Sequence, residues 1–167
     1  MSALPDMTAV CEIFALNTRL LLNCLDGVSD ADANRRVLPG TNSMAFVTAH
    51  VVDARHVALT LLDRPMPNPL AGTLGKVARI EDVEEMPALA SLRASWLAVS
   101  AALERCLEGA TAESLRKVSP QPFPVGDPSL LGGLAFLAQH EAYHVGQLAL
   151  MRKGLGYPAM LCVGNPT

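Results

Sequence analysis

The chain has 167 residues, half of them hydrophobic, and 13 Lys and Arg stand against 16 Asp and Glu for a formal net charge of −3. That length suits one domain with a single core rather than two, and an acidic balance without a basic patch argues against nucleic-acid binding. No stretch reaches the roughly 18 consecutive apolar residues of a membrane span, and the N-terminus lacks the basic start and apolar run of a signal peptide, so a cytoplasmic protein without membrane contact is expected.

Apolar spacing predicts a first helix over Pro5 to Leu25. Its stripe Val10, Phe14, Asn17, Leu21 and Cys24 places the polar Asn17 on the inward face. Asp30 to Arg36 reads as a short helical turn. Gly40-Thr41-Asn42-Ser43 then breaks the chain and offers capping side chains for a second helix, Ser43 to Leu62. There Phe46, Val47, Ala54, Val57 and Leu61 gather on one side with His50 in their midst and Asp53 at the border. His56 falls about 120° further round, beside Arg55, and is expected at the surface.

Asp63 to Glu85 holds Pro65, Pro67, Pro69, Gly72 and Gly75, too many breakers for a helix, and reads as a long crossover. A third helix is expected over Pro87 to Glu108, with Gly109 past its end and Leu89, Leu92, Trp96, Val99, Leu103 and Leu107 as its core stripe. Ser119 to Pro128 is rich in proline. Ser129 can cap a fourth helix ending before Gly154 and Gly156, leaving Tyr157 to Thr167 as an extended tail after one domain over residues 1–156. Cys11, Cys24, Cys106 and Cys162 are scattered without a Cys-x-x-Cys pair, as core fillers would be; Cys162 is near the end and open to exposure.

The chemistry concentrates on the fourth helix, where Gly133, Phe136, Leu137, His140, His144, Gln147 and Met151 share one face. His140 and His144 lie about 40° apart around the helix, close enough to share a divalent metal ion. The letters His140-Glu141-Ala142-Tyr143-His144 also spell the zincin pattern of metalloproteases. Residues 145–167 contain no His, Asp or Glu to serve as its third ligand, and the longer metzincin pattern would need glycine at Gln147 and histidine at Leu150. The third ligand must come from upstream, and of the two other histidines His50 lies on the apolar stripe. The competing reading makes all three core histidines held by hydrogen bonds. A buried imidazole without partners costs on the order of 1–3 kcal/mol, and one shared metal would serve all three.

Three neutral imidazoles leave coordination positions open on zinc, nickel, iron or manganese, as catalytic rather than closed structural sites do. Glu141 is a candidate base or hydrogen-bond partner beside the ligands, or else a solvated charge at the bundle rim. Gln147 is a candidate for orienting a ligand or a metal-bound water, or for bonding a neighbouring helix. Asn17, Asp53 and Tyr143 are candidate pocket residues.

These residues together resemble the DinB/YfiT-like family of metalloenzymes. The matching pieces are Gly40-Thr41-Asn42-Ser43 leading into Thr48-Ala49-His50, and the His140, His144 pair followed by Gly146-Gln147; in layout the likeness runs from about residue 8 to 156. The chain departs from the family at Tyr143, where members often carry another histidine, and at Val145, where many carry arginine. The resemblance implies an all-α four-helix bundle, up-down-down-up, with a crossover between helices 2 and 3. It implies metal ligands at His50, His140 and His144, and a homodimer. It further implies a metal-dependent enzyme acting on a small molecule, related to S-transferases and isomerases that use a low-molecular-weight thiol such as bacillithiol or mycothiol. A non-catalytic metal-binding or stress-response protein is the alternative.

Overall fold

Serine begins three of the helices. The side-chain oxygens of Ser29, Ser43 and Ser129 each accept a hydrogen bond from the backbone N–H three residues on, satisfying a donor that the helix itself leaves open. The structure, a computed structural model, describes residues 5–74, 80–83 and 85–162. Its elements are α1 (Pro5–Leu25), α2 (Asp30–Asn34), α3 (Met44–Leu61), α4 (Ala71–Leu74), α5 (Leu89–Glu108), α6 (Ala112–Leu115) and α7 (Leu130–Gly154), with a 3₁₀ turn at Ile80–Asp82. Among the described residues there is no strand, only an isolated bridge between Val118 and Ser129.

The four long helices pack in a ring: α1 against α5 and α7, and α3 against the same two. Trp96, Leu92 and Leu103 of α5, Leu21 and Leu25 of α1, and Leu134 and Leu148 of α7 are almost wholly buried between them. Each such side chain contributes about 1.5–3 kcal/mol by leaving water. Met7–Leu25 of α1 has the length and mean hydropathy, 1.3, of a membrane span. Glu12 and Arg19 interrupt that run, which is why a search for uninterrupted apolar residues passes over it.

Helix α3 departs from the expected single stripe. It is buried nearly all round, and only His50, Asp53, Val57 and Thr60, one line at helical spacing, reach towards solvent. His56 is therefore not a surface residue: it is 7% exposed, turned inward with Arg55 at 1%. The crossover also carries more structure than its prolines suggest. α4 forms in the gap between Pro69 and Gly75, and the side chain of Asn68 joins this region to α3 by donating to Asp53 (2.6 Å) while accepting from the Leu70 N–H (2.9 Å). Residues 75–79 and 84 of the crossover lie outside the described residues, as do 163–167 of the tail and 1–4 of the expected domain.

The proline-rich segment before α7 folds down onto that helix. A Cβ on Gly133 would stand 2.8 Å from the Phe123 ring, and one on Gly132 would collide with Asp127, so two glycines admit the loop. Beyond α7, residues 157–162 lack regular structure but are tied to α1 and α2. Arg152 donates to the carbonyls of Pro158 and Cys24, Asn23 donates to the carbonyl of Leu161 (2.7 Å), and the Tyr157 hydroxyl donates to Asp32 (2.7 Å).

Candidate metal centre

Ser43 starts α3 and Ser129 starts α7, and packing of these two helices brings three imidazoles edge to edge. The Nε2 atom of His140 lies 3.1 Å from Nε2 of His50 and 3.1 Å from Nε2 of His144. The rings stand steeply to one another, at 65° to 80° with centroids 4.4–5.0 Å apart. Imidazole nitrogens bind zinc at about 2.0–2.1 Å, so two of them on one ion at tetrahedral or octahedral angles are separated by roughly 2.8–3.4 Å. Both contacts of His140 fit, and the three ligand atoms all lie within 4.8 Å of one another.

Hydrogen bonding within the trio serves the same atoms less well. Gln147 Oε1 lies 2.7 Å from His144 Nδ1; the amide oxygen accepts, so the proton sits on Nδ1 and the Nε2 lone pair faces the other rings. His140 must then donate through Nε2 to His144, and the same atom cannot accept from His50. One proton is left to serve two contacts. A cation at the centre would serve every lone pair, and the three histidines could hold a divalent metal ion. His140 Nδ1 is buried without a partner among the described residues.

Electrostatics also keep these rings unprotonated. Burial, and then the proximity of His144 and His50, pushes His140 down to about 4. His50 is lowered by burial and by His144, with Asp53 pulling the other way. His144 is lowered by burial, partly offset by its hydrogen bond to Gln147. All three are ready as neutral ligands at neutral pH.

Glu141, next in sequence to His140, goes elsewhere. It is 1% exposed, not a solvated charge at the rim. Its oxygens receive Arg55 Nε (2.7 Å), Arg55 NH2 (2.9 Å) and Asn17 Nδ2 (3.4 Å), and it bonds none of the histidines. Burial pushes its carboxyl above the usual range while Arg55 and Asn17 pull it back, and the two-pronged guanidinium contact holds it as carboxylate. Arg55 also donates to Thr18, Ser100 and the Phe14 carbonyl and lies 3.7 Å over the Trp96 ring, so one side chain touches α1, α5 and α7 from α3.

Among the other expected pocket residues, Asn17 faces inward as its spacing requires and donates to the Ala138 carbonyl (2.9 Å) as well as to Glu141. Tyr143 is 59% exposed with its ring 5.1 Å from that of His144, at the rim of the trio. Asp53 is half-buried one turn along α3 from His50. Phe136 lies against His140 at 6.0 Å and Phe123 against Phe136 at 5.4 Å, which walls the trio with the proline-rich loop. Sequence reasoning missed Arg55. Its neighbours three and four residues away, Val51, Val52, Ala58 and Leu59, are all apolar, and that is the signal of a buried charge requiring a partner.

A family model described as DinB superfamily matches residues 13–148. The crystal structure of a conserved protein from Enterococcus faecalis superposes with a TM-score of 0.71 at 16% identity, covering 92% of this chain and 98% of that one. At that identity the likeness is one of fold. No curated protein matches the chain.

Proposed function

The chain belongs to the DinB superfamily, and on that premise we propose that it is a divalent-metal-dependent enzyme whose ligands are His50, His140 and His144. The observation that carries this reading is the convergence of three imidazoles, with His140 Nε2 3.1 Å from Nε2 of both His50 and His144, on a tautomer set by Gln147. When bound, the metal supplies a Lewis acid able to polarise a carbonyl or to lower the pKa of a thiol. Gln147 orients His144 as outer partners of metal ligands do. Tyr143, exposed at the rim, is placed to meet an arriving molecule.

The substrate reading is a small molecule together with a low-molecular-weight thiol, transferred or isomerised at sulfur. The half-buried state of the three histidines supports it, since a closed structural metal would be covered. The finer fold reading is a four-helix bundle, up-down-down-up. Its support is that Asn17 and Cys24 of α1 meet Ala138 and Val145 of α7 in rising order, while α5 runs back along α1 from Trp96 at Thr18 to Leu107 beside Cys11. One domain over residues 1–156 and a homodimer belong to the same proposal.

Elemental analysis of tag-free protein tests the metal: about one ion per wild-type chain is expected, and none in a folded His140→Ala variant. Metal-loaded wild type is then assayed for thiol transfer to a small electrophile. A chain that binds metal and transfers none of a panel of thiols would be the non-catalytic metal binder.

A further inference from the structure

The last described residues fold back onto the end of α1. Arg152 of α7 donates to the carbonyls of Pro158 (2.7 Å) and Cys24 (3.1 Å), and Asn23 donates to the carbonyl of Leu161 (2.7 Å). Between these ties the Cys24 thiol donates to the Met160 sulfur at 3.4 Å. Separate contacts thus hold Met160 and Leu161 against Cys24 and Asn23, and Cys162 is the next residue along the chain. Two residues of chain span at most about 7 Å, so Cys162 stays within that reach of Met160, whose side chain already touches Cys24. A disulfide needs its two Cα atoms about 4.4–6.8 Å apart.

The two thiols differ in access. Cys24 is 0% exposed and faces the Val145 carbonyl of α7 at 3.7 Å, whereas Cys162 is exposed. Burial pushes the Cys24 thiol up to about 12; Arg152 pulls it down and Cys162 adds to the rise, so the two sulfurs are near enough for the charge of one to act on the other. A dissolved oxidant therefore meets Cys162 and not Cys24, and Cys24 reacts only with a sulfur that the tail carries to it.

We propose that Cys162 and Cys24 are a redox-responsive pair: a small-molecule disulfide oxidises the exposed thiol, and the buried one completes an intramolecular bond that fastens the tail to α1. The Cys162 thiolate attacks one sulfur of the small disulfide, whose S–S bond breaks and releases one thiol, leaving a mixed disulfide on Cys162. The Cys24 sulfur gives up its proton, attacks the Cys162 sulfur and expels the second small thiol. Two cysteines are oxidised, one small disulfide is reduced, and the two cysteine protons end on the two thiols released. The pairing depends neither on the metal centre nor on the enzyme reading.

The test exposes the full-length, fully reduced chain to glutathione disulfide, alkylates the remaining thiols in denaturant and maps the unreduced digest by mass spectrometry. A bond from Cys24 to Cys162 is expected in most chains, with Cys11 and Cys106 alkylated. The same treatment in urea is the control. Ring closure there favours the short loop from Cys11 to Cys24 over the far longer one from Cys24 to Cys162, so the Cys24–Cys162 share should fall at least about tenfold. Cys162→Ser, a change at an exposed position, should leave Cys24 reduced, and Cys24→Ala should stop at glutathione on Cys162. A wild type that stops at the mixed disulfide, pairs other cysteines, links two chains through Cys162 or gives the same Cys24–Cys162 share in urea would overturn the proposal, as would oxidation of Cys24 in the Cys162→Ser variant.

Discussion

Two polar clusters sit on the same two helices, α3 and α7, and they are built in opposite ways. Around Arg55 and Glu141 every charge is answered from within the chain: the carboxylate meets the guanidinium on both oxygens, and the guanidinium is spread over Thr18, Ser100 and the Phe14 carbonyl. At His50, His140 and His144 the nitrogens face one another, with too few protons to pair them. The first cluster closes the bundle. The second, half-buried and answered only by Gln147 at His144, could hold a metal ion. Polar groups inside a protein are satisfied nearly always, so three imidazoles brought together with too few protons between them mark a candidate site.

The comparison can be broken most severely at Arg55. Arg55→Met leaves Glu141 buried without its partner and is expected to cost about 3–5 kcal/mol in urea unfolding. The double variant Arg55→Met, Glu141→Leu should recover much of that loss, because it buries no charge. Equal destabilisation by the single and double variants would mean that the pair is not a self-contained unit.

Adding metal probes the other cluster. Wild type should gain about 2.7 kcal/mol at a free metal concentration a hundred times Kd, seen as a rise in Tm, while His140→Ala gains none. A similar rise in His140→Ala would remove that residue from the ligand set. A milder change is Gln147→Leu, which keeps the ligands but frees the His144 ring; metal affinity should fall about 10–100-fold in a competition titration with a chromophoric chelator. Unchanged affinity would show that the helix alone orients His144.

The smallest effect is that of pH on metal-free protein. The histidine trio has folded-state pKa values below the ordinary imidazole value, His140 at about 4. The unfolded chain therefore binds more protons between that value and about 6.5, so stability is full above 6.5 and declines as pH falls towards 4. The partial exposure of these rings keeps the change modest. His140→Ala should flatten this decline relative to wild type in chemical unfolding followed across that range.

The helices were legible because local rules govern them. The serine caps at Ser43 and Ser129, the apolar stripe of α5 and the breaker Gly109 mark their ends without reference to the rest of the fold. His56 and Arg55 were placed wrongly for the opposite reason. A stripe count assumes that a helix has one buried face, and α3 is covered by its neighbours on nearly every side. The short α4 escaped for a smaller reason: a single turn between breakers rests on its contact with α3 and on no pattern of its own.

By itself the sequence determined which residues could ligate a metal, because the His140, His144 spacing puts both rings on one helix face whatever surrounds it. It also pointed upstream to His50 for a third ligand, since residues 145–167 hold no His, Asp or Glu. Only the tertiary structure decided that Glu141 turns to Arg55 rather than to the histidines, and that the tail brings Cys162 back to the end of α1. Those outcomes depend on which side of α3 faces α7 and on where the chain runs after α7. Such distances are set by packing between segments far apart in the chain, and no local pattern carries them.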